Sequence, residues 1–144
     1  MKNKVHEKYY LQPTKVALYC RTASTNSSDT GAIDIQLDRL RTFSNQHGYK
    51  VCAEYKDDGF IGNNLERPAF VQMQSDILSG KIDTVVVHNI NRIARDYFLL
   101  EKCLRDFKSR GIKIIAADGS HEFISVGNLT IELVRSKTGM IKSK

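Results

Sequence analysis

Apolar residues along this chain follow two rhythms. The run Lys15-Val-Ala-Leu-Tyr-Cys20 is nearly continuous, as a strand covered on both faces reads. Lys50 to Tyr55, Thr84-Val-Val-Val-His88 and Ile112-Lys-Ile-Ile-Ala-Ala117 are similar, and Thr84–His88 is β-branched through its centre. Between these runs the apolar positions take helical spacing: Ile33, Leu37, Leu40 and Phe43, then Phe70, Met73 and Ile77, then Leu100, Leu104 and Phe107. Gly48, Gly80 and Gly111 close the three helical stretches, and Pro68 opens the second. The pattern predicts strands near 15–20, 50–55, 83–88 and 111–117, with helices near 32–47, 67–79 and 96–110. Polar, turn-rich loops fill 22–31 and 57–64. Past Asp118-Gly119 the periodicity fades, and residues 121–144 fit an edge strand, a short helix or a tail.

Regular alternation of strand and helix predicts an α/β fold, a mostly parallel four-stranded sheet with helices on both faces. The chain divides into a basic N-terminal extension (1–14), this core (15–120) and the tail (121–144). Ligands of such sheets gather beyond the carboxyl ends of the strands. Those ends are Arg21–Asn26, Asp57–Arg67, Asn89–Arg95 and Asp118–His121. Arg21, Arg67 and Arg92 fall in three separate ends, and Arg95 follows Arg92 by one helical turn. A guanidinium grips phosphate with two parallel hydrogen bonds, so converging arginines point to a phosphodiester or another oxyanion. The competing reading makes each of them a surface residue paired locally.

Length and charge narrow this picture. At 144 residues the chain is one domain with a short tail, and its 41% hydrophobic content is too high for a disordered segment. No apolar run approaches the roughly 20 residues of a membrane helix, and the first residues lack the apolar stretch of a secretion signal. A cytoplasmic protein without membrane contact is the expectation. The net charge of +6 permits a nucleic-acid partner, although the surplus lies at the ends. Residues 1–15 carry four lysines against Glu7, and residues 125–144 carry Arg135, Lys137, Lys142 and Lys144 against Glu132. Cys20, Cys52 and Cys103 stand singly among apolar residues, which predicts reduced, buried thiols and no metal site. No G-x-G-x-x-G or G-x-x-x-x-G-K-[ST] occurs, so a nucleotide cofactor has no support. A phosphoacceptor domain would need an aspartate after the third strand, where His88 and Asn89 stand. The four histidines lack ligand spacing, and His88 reads as a strand-end residue. Tyr9-Tyr10 and Tyr97-Phe98 read as packing or hinge aromatics.

Six segments carry a family resemblance, in order and in spacing. They are VALYCRTAS (16–24), Ile33-Asp-Ile-Gln36, Tyr55-Lys-Asp57-Asp-Gly-Phe-Ile-Gly, Glu66-Arg67-Pro68-Ala-Phe, Ser79-Gly-Lys-Ile-Asp-Thr-Val-Val-Val and Asn91-Arg92-Ile-Ala-Arg95-Asp. Together they resemble the catalytic domain of serine recombinases, the resolvase/invertase family, with loops closest to its large-integrase branch. The resemblance covers roughly residues 15–118. It implies a parallel α/β core that binds DNA as a dimer pairing into tetramers. It also implies strand breakage and rejoining through a 5′-phosphoserine link, with no cofactor, metal or nucleotide. On that footing Arg21, Arg67, Arg92 and Arg95 are the phosphate and active-site arginines, Gln36 the active-site glutamine and Asp57 the loop carboxylate.

Three departures qualify the resemblance. The family's serine nucleophile stands two residues past the first arginine, and here that position is Ala23, with Ser24 next door as the substitute hydroxyl. The family's Asp-Arg after the third strand is Asn91-Arg92. Family members continue into a long helix and a separate DNA-binding domain, and here only 128–137 could begin that helix, so DNA binding is expected to be weak and salt-dependent. The expectation is a recombinase catalytic domain impaired at Ala23. The alternative is a catalytically inactive module that pairs with recombinase subunits.

Overall fold

In the computed structural model, residues 15–23, 32–60 and 64–119 are described in full, together with the backbone of 121–126, 129–135 and 141–143. The elements run β1 (Val16–Thr22), α1 (Ala32–Gln46), β2 (Val51–Asp58), α2 (Pro68–Leu78), β3 (Thr84–Val87), a 3-10 turn (Ile90–Arg92), α3 (Tyr97–Ser109) and β4 (Lys113–Ala116). Three further strands follow: β5 (His121–Val126), β6 (Leu129–Arg135) and β7 (Ile141–Ser143). All join one sheet in the order β2-β1-β3-β4-β5-β6-β7.

The first four strands are parallel, β1 lying between β2 and β3 and β3 beside β4. This is the four-stranded parallel core that the hydrophobic pattern predicts. Side chains alternate across it. Val16, Leu18 and Cys20 of β1 face α1 through Ile33, Leu37 and Leu40. Ala17 and Tyr19 face α2 and α3 through Phe70, Met73, Leu100 and Phe107. Being covered on both sides, β1, β3 and β4 read as unbroken apolar runs. Edge strand β2 instead alternates, and this leaves Cys52 exposed. The expectation of three buried thiols therefore holds for Cys20 and Cys103 and fails for Cys52.

Helix ends follow their sequence signals. Gly80 takes φ 75° after α2, with Lys81 N donating to the carbonyl of Asp76 (3.0 Å) and Gly80 N to that of Ile77 (3.0 Å). Asp96 caps α3 by accepting from Leu99 N at 3.0 Å.

Beyond β4, where the sequence leaves an edge strand, a short helix or a tail open, the described backbone takes strands. β5, β6 and β7 pair antiparallel, His121–Val126 against Leu129–Val134. Tyr97 and Phe98 depart from the packing expectation. They open α3 and are 68% and 81% exposed, touching each other edge to face at 5.8 Å. The extension 1–14 with Tyr9-Tyr10, and Ser24, lie outside the described residues. No helix among the described residues is long and apolar enough to cross a membrane.

Candidate functional site

The carboxyl ends of β1 and β3 meet at the 3-10 turn, and Arg21 ties them together. It is the last buried residue of β1, 2% exposed. Its Nε donates to the carbonyl of Arg92 (2.9 Å), its Nη2 to that of Asn91 (2.7 Å) and its Nη1 to that of Phe60 (2.8 Å). Arg92 Nη1 donates back to the carbonyl of Arg21 at 3.1 Å. Gln36, reaching from α1, clasps the same peptide: its Oε1 accepts from Arg21 N (3.1 Å) and its Nε2 donates to Arg21 O (3.3 Å).

Arg67 lies deeper, 1% exposed at the N-cap of α2. Its Nε donates to the carbonyl of Asn64 (3.0 Å), and its Nη1 to Tyr19 Oη (2.9 Å) and the carbonyl of Arg92 (3.2 Å). Its Nη2 donates to the carbonyl of Ile93. The guanidinium rests over the rings of Phe70 and Tyr19, 4.9 and 5.7 Å from their centroids. Asp57 sits beneath it, also 1% exposed, and accepts from Tyr19 Oη (2.7 Å), Ala69 N (2.8 Å) and Phe70 N (3.0 Å). A carboxylate on the first amides of a helix meets both its open donors and its positive end. Burial, then the hydrogen bond to Asp57, pushes the Tyr19 hydroxyl well above its ordinary range.

Above this layer an open crevice of about 250 Å³ is lined by Arg21, Ala23, Asn89, Asn91, Arg92 and Arg95. Among the described residues three guanidiniums border it and no carboxylate does. Burial first, with the charges of Arg67, Arg92 and Arg95 contributing, pulls Arg21 down to about 10. A buried guanidinium with cationic neighbours favours an anion beside it. Two buried polar atoms on the crevice residues, Asn89 Oδ1 and Arg92 Nε, have no hydrogen-bond partner among the described residues.

The structure thus brings Arg21, Ala23, Asn91, Arg92 and Arg95 to one crevice. Arg67 and Asp57 stand in the layer beneath it, and Gln36 spends its amide on the backbone of Arg21. Two residues of this assembly escape a reading of the sequence. Tyr19 is hidden in an apolar run, where the need of a buried hydroxyl for a partner is the available signal. Asn89 is the second polar residue after a wholly apolar strand, at the ligand side of the sheet.

Comparison with known proteins agrees with this fold. Residues 16–138 match the family described as the resolvase N-terminal domain. The catalytic domain of TP901-1 integrase has a similar structure, with a TM-score of 0.70 and 35% identity over 76% of this chain and 82% of that domain. A resolvase-family site-specific recombinase from Streptococcus pneumoniae gives a TM-score of 0.64 and 29% identity over 74% of each chain. A candidate DNA recombinase of Bacillus subtilis (strain 168) is 28% identical over 117 residues, which is 79% of this chain and 22% of that protein. The fold and site define a resolvase-type catalytic domain of the serine recombinase class. This chain belongs to the resolvase N-terminal domain family.

Proposed function

We propose that the crevice holds a DNA phosphate as the catalytic centre of a site-specific serine recombinase does, and that Ala23 impairs strand breakage in it. The observation that carries this reading is the lining itself: among the described residues, three guanidiniums, two carboxamides, a methyl group and no acid. Attack on a phosphodiester loads negative charge onto the nonbridging oxygens, and fixed guanidiniums stabilise that charge without a metal. Arg92 and Arg95 grip the phosphate. Arg21 holds the crevice in shape through the two carbonyls of the 3-10 turn and turns its remaining N–H groups to the ligand. Arg67, Asp57, Tyr19 and Gln36 are positioning residues. The missing part is the nucleophile, since the Ala23 methyl carries no hydroxyl for covalent catalysis. Recombinases of this family work as dimers and tetramers in the cytoplasm, and the same assembly is proposed for the protein that carries this domain.

The second reading, an inactive module that pairs with recombinase subunits, also has a specific observation behind it. Arg21 and Arg67 saturate main-chain carbonyls, so folding alone is a reason to keep them. Arg95 separates the two readings, because it is exposed and lines the crevice. Binding to a labelled DNA duplex at low salt is the test. Under the first reading affinity falls steeply with salt, and Arg95→Ala weakens it and lowers the salt slope by about one. Affinity that ignores both Arg92→Ala and Arg95→Ala removes the phosphate site and leaves the second reading.

A further inference from the structure

We infer that the crevice prefers the phosphomonoester end of a nucleic-acid strand over an uninterrupted phosphodiester. The inference rests on the phosphate reading above and specifies which form of phosphate the site takes.

Charge is the first ground. A phosphodiester carries one negative charge, whereas a terminal phosphate carries about −1.5 to −2 at neutral pH. Three guanidiniums and, among the described residues, no carboxylate line the crevice, which matches the more highly charged group. Each additional unit of negative charge relieves the mutual repulsion that Arg21 feels.

Hydrogen bonding is the second. Arg92 Nε is a buried donor and Asn89 Oδ1 a buried acceptor, both without a partner among the described residues. Leaving such groups unpaired is unfavourable, so a ligand that pairs them is stabilised. A half-turn of the Asn89 carboxamide presents N–H in place of oxygen, so it can serve an oxyanion too. Arg21 has five N–H groups. The three donations seen among the described residues leave further donors beside the crevice. A diester offers two unesterified oxygens to these donors, and a monoester offers three.

Room is the third. The third oxygen of a monoester takes the place of the onward strand and brings added negative charge, so it needs a neighbour that does not repel it. Ala23 is an exposed bend residue on the crevice wall, and its methyl provides that space with no oxygen of its own to repel the ligand.

The experiment compares duplexes of one sequence, labelled at the far end, whose near end is 5′-phosphorylated, 3′-phosphorylated or fully hydroxylated. Binding is measured by fluorescence anisotropy at low salt, and thermal melting of each protein variant shows that it folds. One phosphorylated end is expected to bind about tenfold tighter than the hydroxylated one, and the 5′ and 3′ arms identify which strand end is read. Asn89→Ala is expected to shrink the difference while binding to the hydroxylated duplex persists. Equal affinity for all three ends, still weakened by Arg95→Ala, overturns the inference and leaves the phosphate reading intact. Equal affinity that Arg92→Ala and Arg95→Ala do not change overturns both.

Discussion

Arg21 and Arg92 exchange hydrogen bonds, each donating from its guanidinium to the backbone carbonyl of the other, at 2.9 and 3.1 Å. The exchange clamps the end of β1 to the 3-10 turn after β3, although the two residues lie far apart in the chain. A cationic donor on a neutral carbonyl is stronger than an ordinary amide bond and brings no negative charge. The clamp therefore fixes the crevice and keeps it positive, which a carboxylate strut would not do.

Arginines that look equivalent in the sequence should separate by stability. Arg67→Ala removes the donor to Tyr19 Oη and to the carbonyls of Asn64, Arg92 and Ile93, and should cost at least about 3 kcal/mol. Arg95 is exposed, and Arg95→Ala should stay within about 0.5 kcal/mol of the unmodified chain. Urea denaturation of the two variants measures both, and equal losses would contradict the two-layer arrangement.

Asp57 is expected to behave as a buried cap. It meets two amides of α2 and the Tyr19 hydroxyl, so Asp57→Ala should destabilise by about 3–5 kcal/mol, as loss of a buried charged partner does. Tyr19→Phe removes one hydrogen bond to each of Asp57 and Arg67 while keeping the ring, and should cost about 1–3 kcal/mol. Chemical denaturation checks the order. An Asp57→Ala protein as stable as the unmodified one would return Asp57 to the crevice.

Alkaline pH should weaken the fold. Burial pushes the thiols of Cys20 and Cys103 up to about 12, so the folded chain retains protons that the unfolded chain releases near 9.0. Groups raised in this way contribute fully below their unfolded value, and the contribution is lost as pH rises towards the folded one. Tyr19 and Tyr55 act in the same direction, chiefly through burial. Lys113 and Arg21, held down first by burial, act in the opposite one. Melting temperature should be flat to about pH 8 and fall above about pH 9, by roughly 2–4 °C for each kcal/mol lost. At about pH 8 a thiol reagent should label Cys52 alone in the native protein and all three cysteines after unfolding. Rapid native labelling of Cys20 or Cys103 would contradict their burial.

The parallel core is legible in the sequence because its period is strong. Val16–Cys20 and Thr84–Val87 are buried on both faces, and only an unbroken apolar run fits there. β5 to β7 are less legible, because the strand-like alternation of Leu129-Thr-Ile-Glu-Leu133 spans only five residues, breaks at Val134 and has no matching period in His121–Val126. The crevice is half legible. Arginines at the carboxyl ends of strands mark the ligand side, yet nothing local tells Arg67, whose guanidinium is spent on Tyr19 and three carbonyls, from exposed Arg95. That distinction depends on partners contributed by β1 and the 3-10 turn, distant in the chain. Tyr97 and Phe98 mislead for a related reason. Aromatic residues usually pack, but these stand at the first turn of α3, ahead of its buried stripe Leu100, Cys103 and Phe107.

Restoring a hydroxyl at position 23 should restore bond formation. In the family's chemistry a serine Oγ attacks phosphorus, the new Oγ–P bond forms, and the strand's 3′ oxygen leaves and takes up a proton. Ala23 lines the crevice between Arg21 and Arg92, so an Oγ placed there stands beside the groups that would stabilise the developing charge. Ala23→Ser is sterically small at an exposed bend and should leave stability within about 0.5 kcal/mol. Asn91, which replaces the family's aspartate and gives its own carbonyl to Arg21, should hold the restored rate below that of Ala23→Ser combined with Asn91→Asp. The measurement is trapping of a protein–DNA adduct on a nicked suicide substrate, using the unmodified chain, Ala23→Ser, the double variant and Ser24→Ala. No adduct is expected from the unmodified chain or from Ser24→Ala, and adducts are expected from the two variants that carry Ala23→Ser. An adduct from the unmodified chain that disappears in Ser24→Ala would make Ser24 the nucleophile and the domain active as it stands.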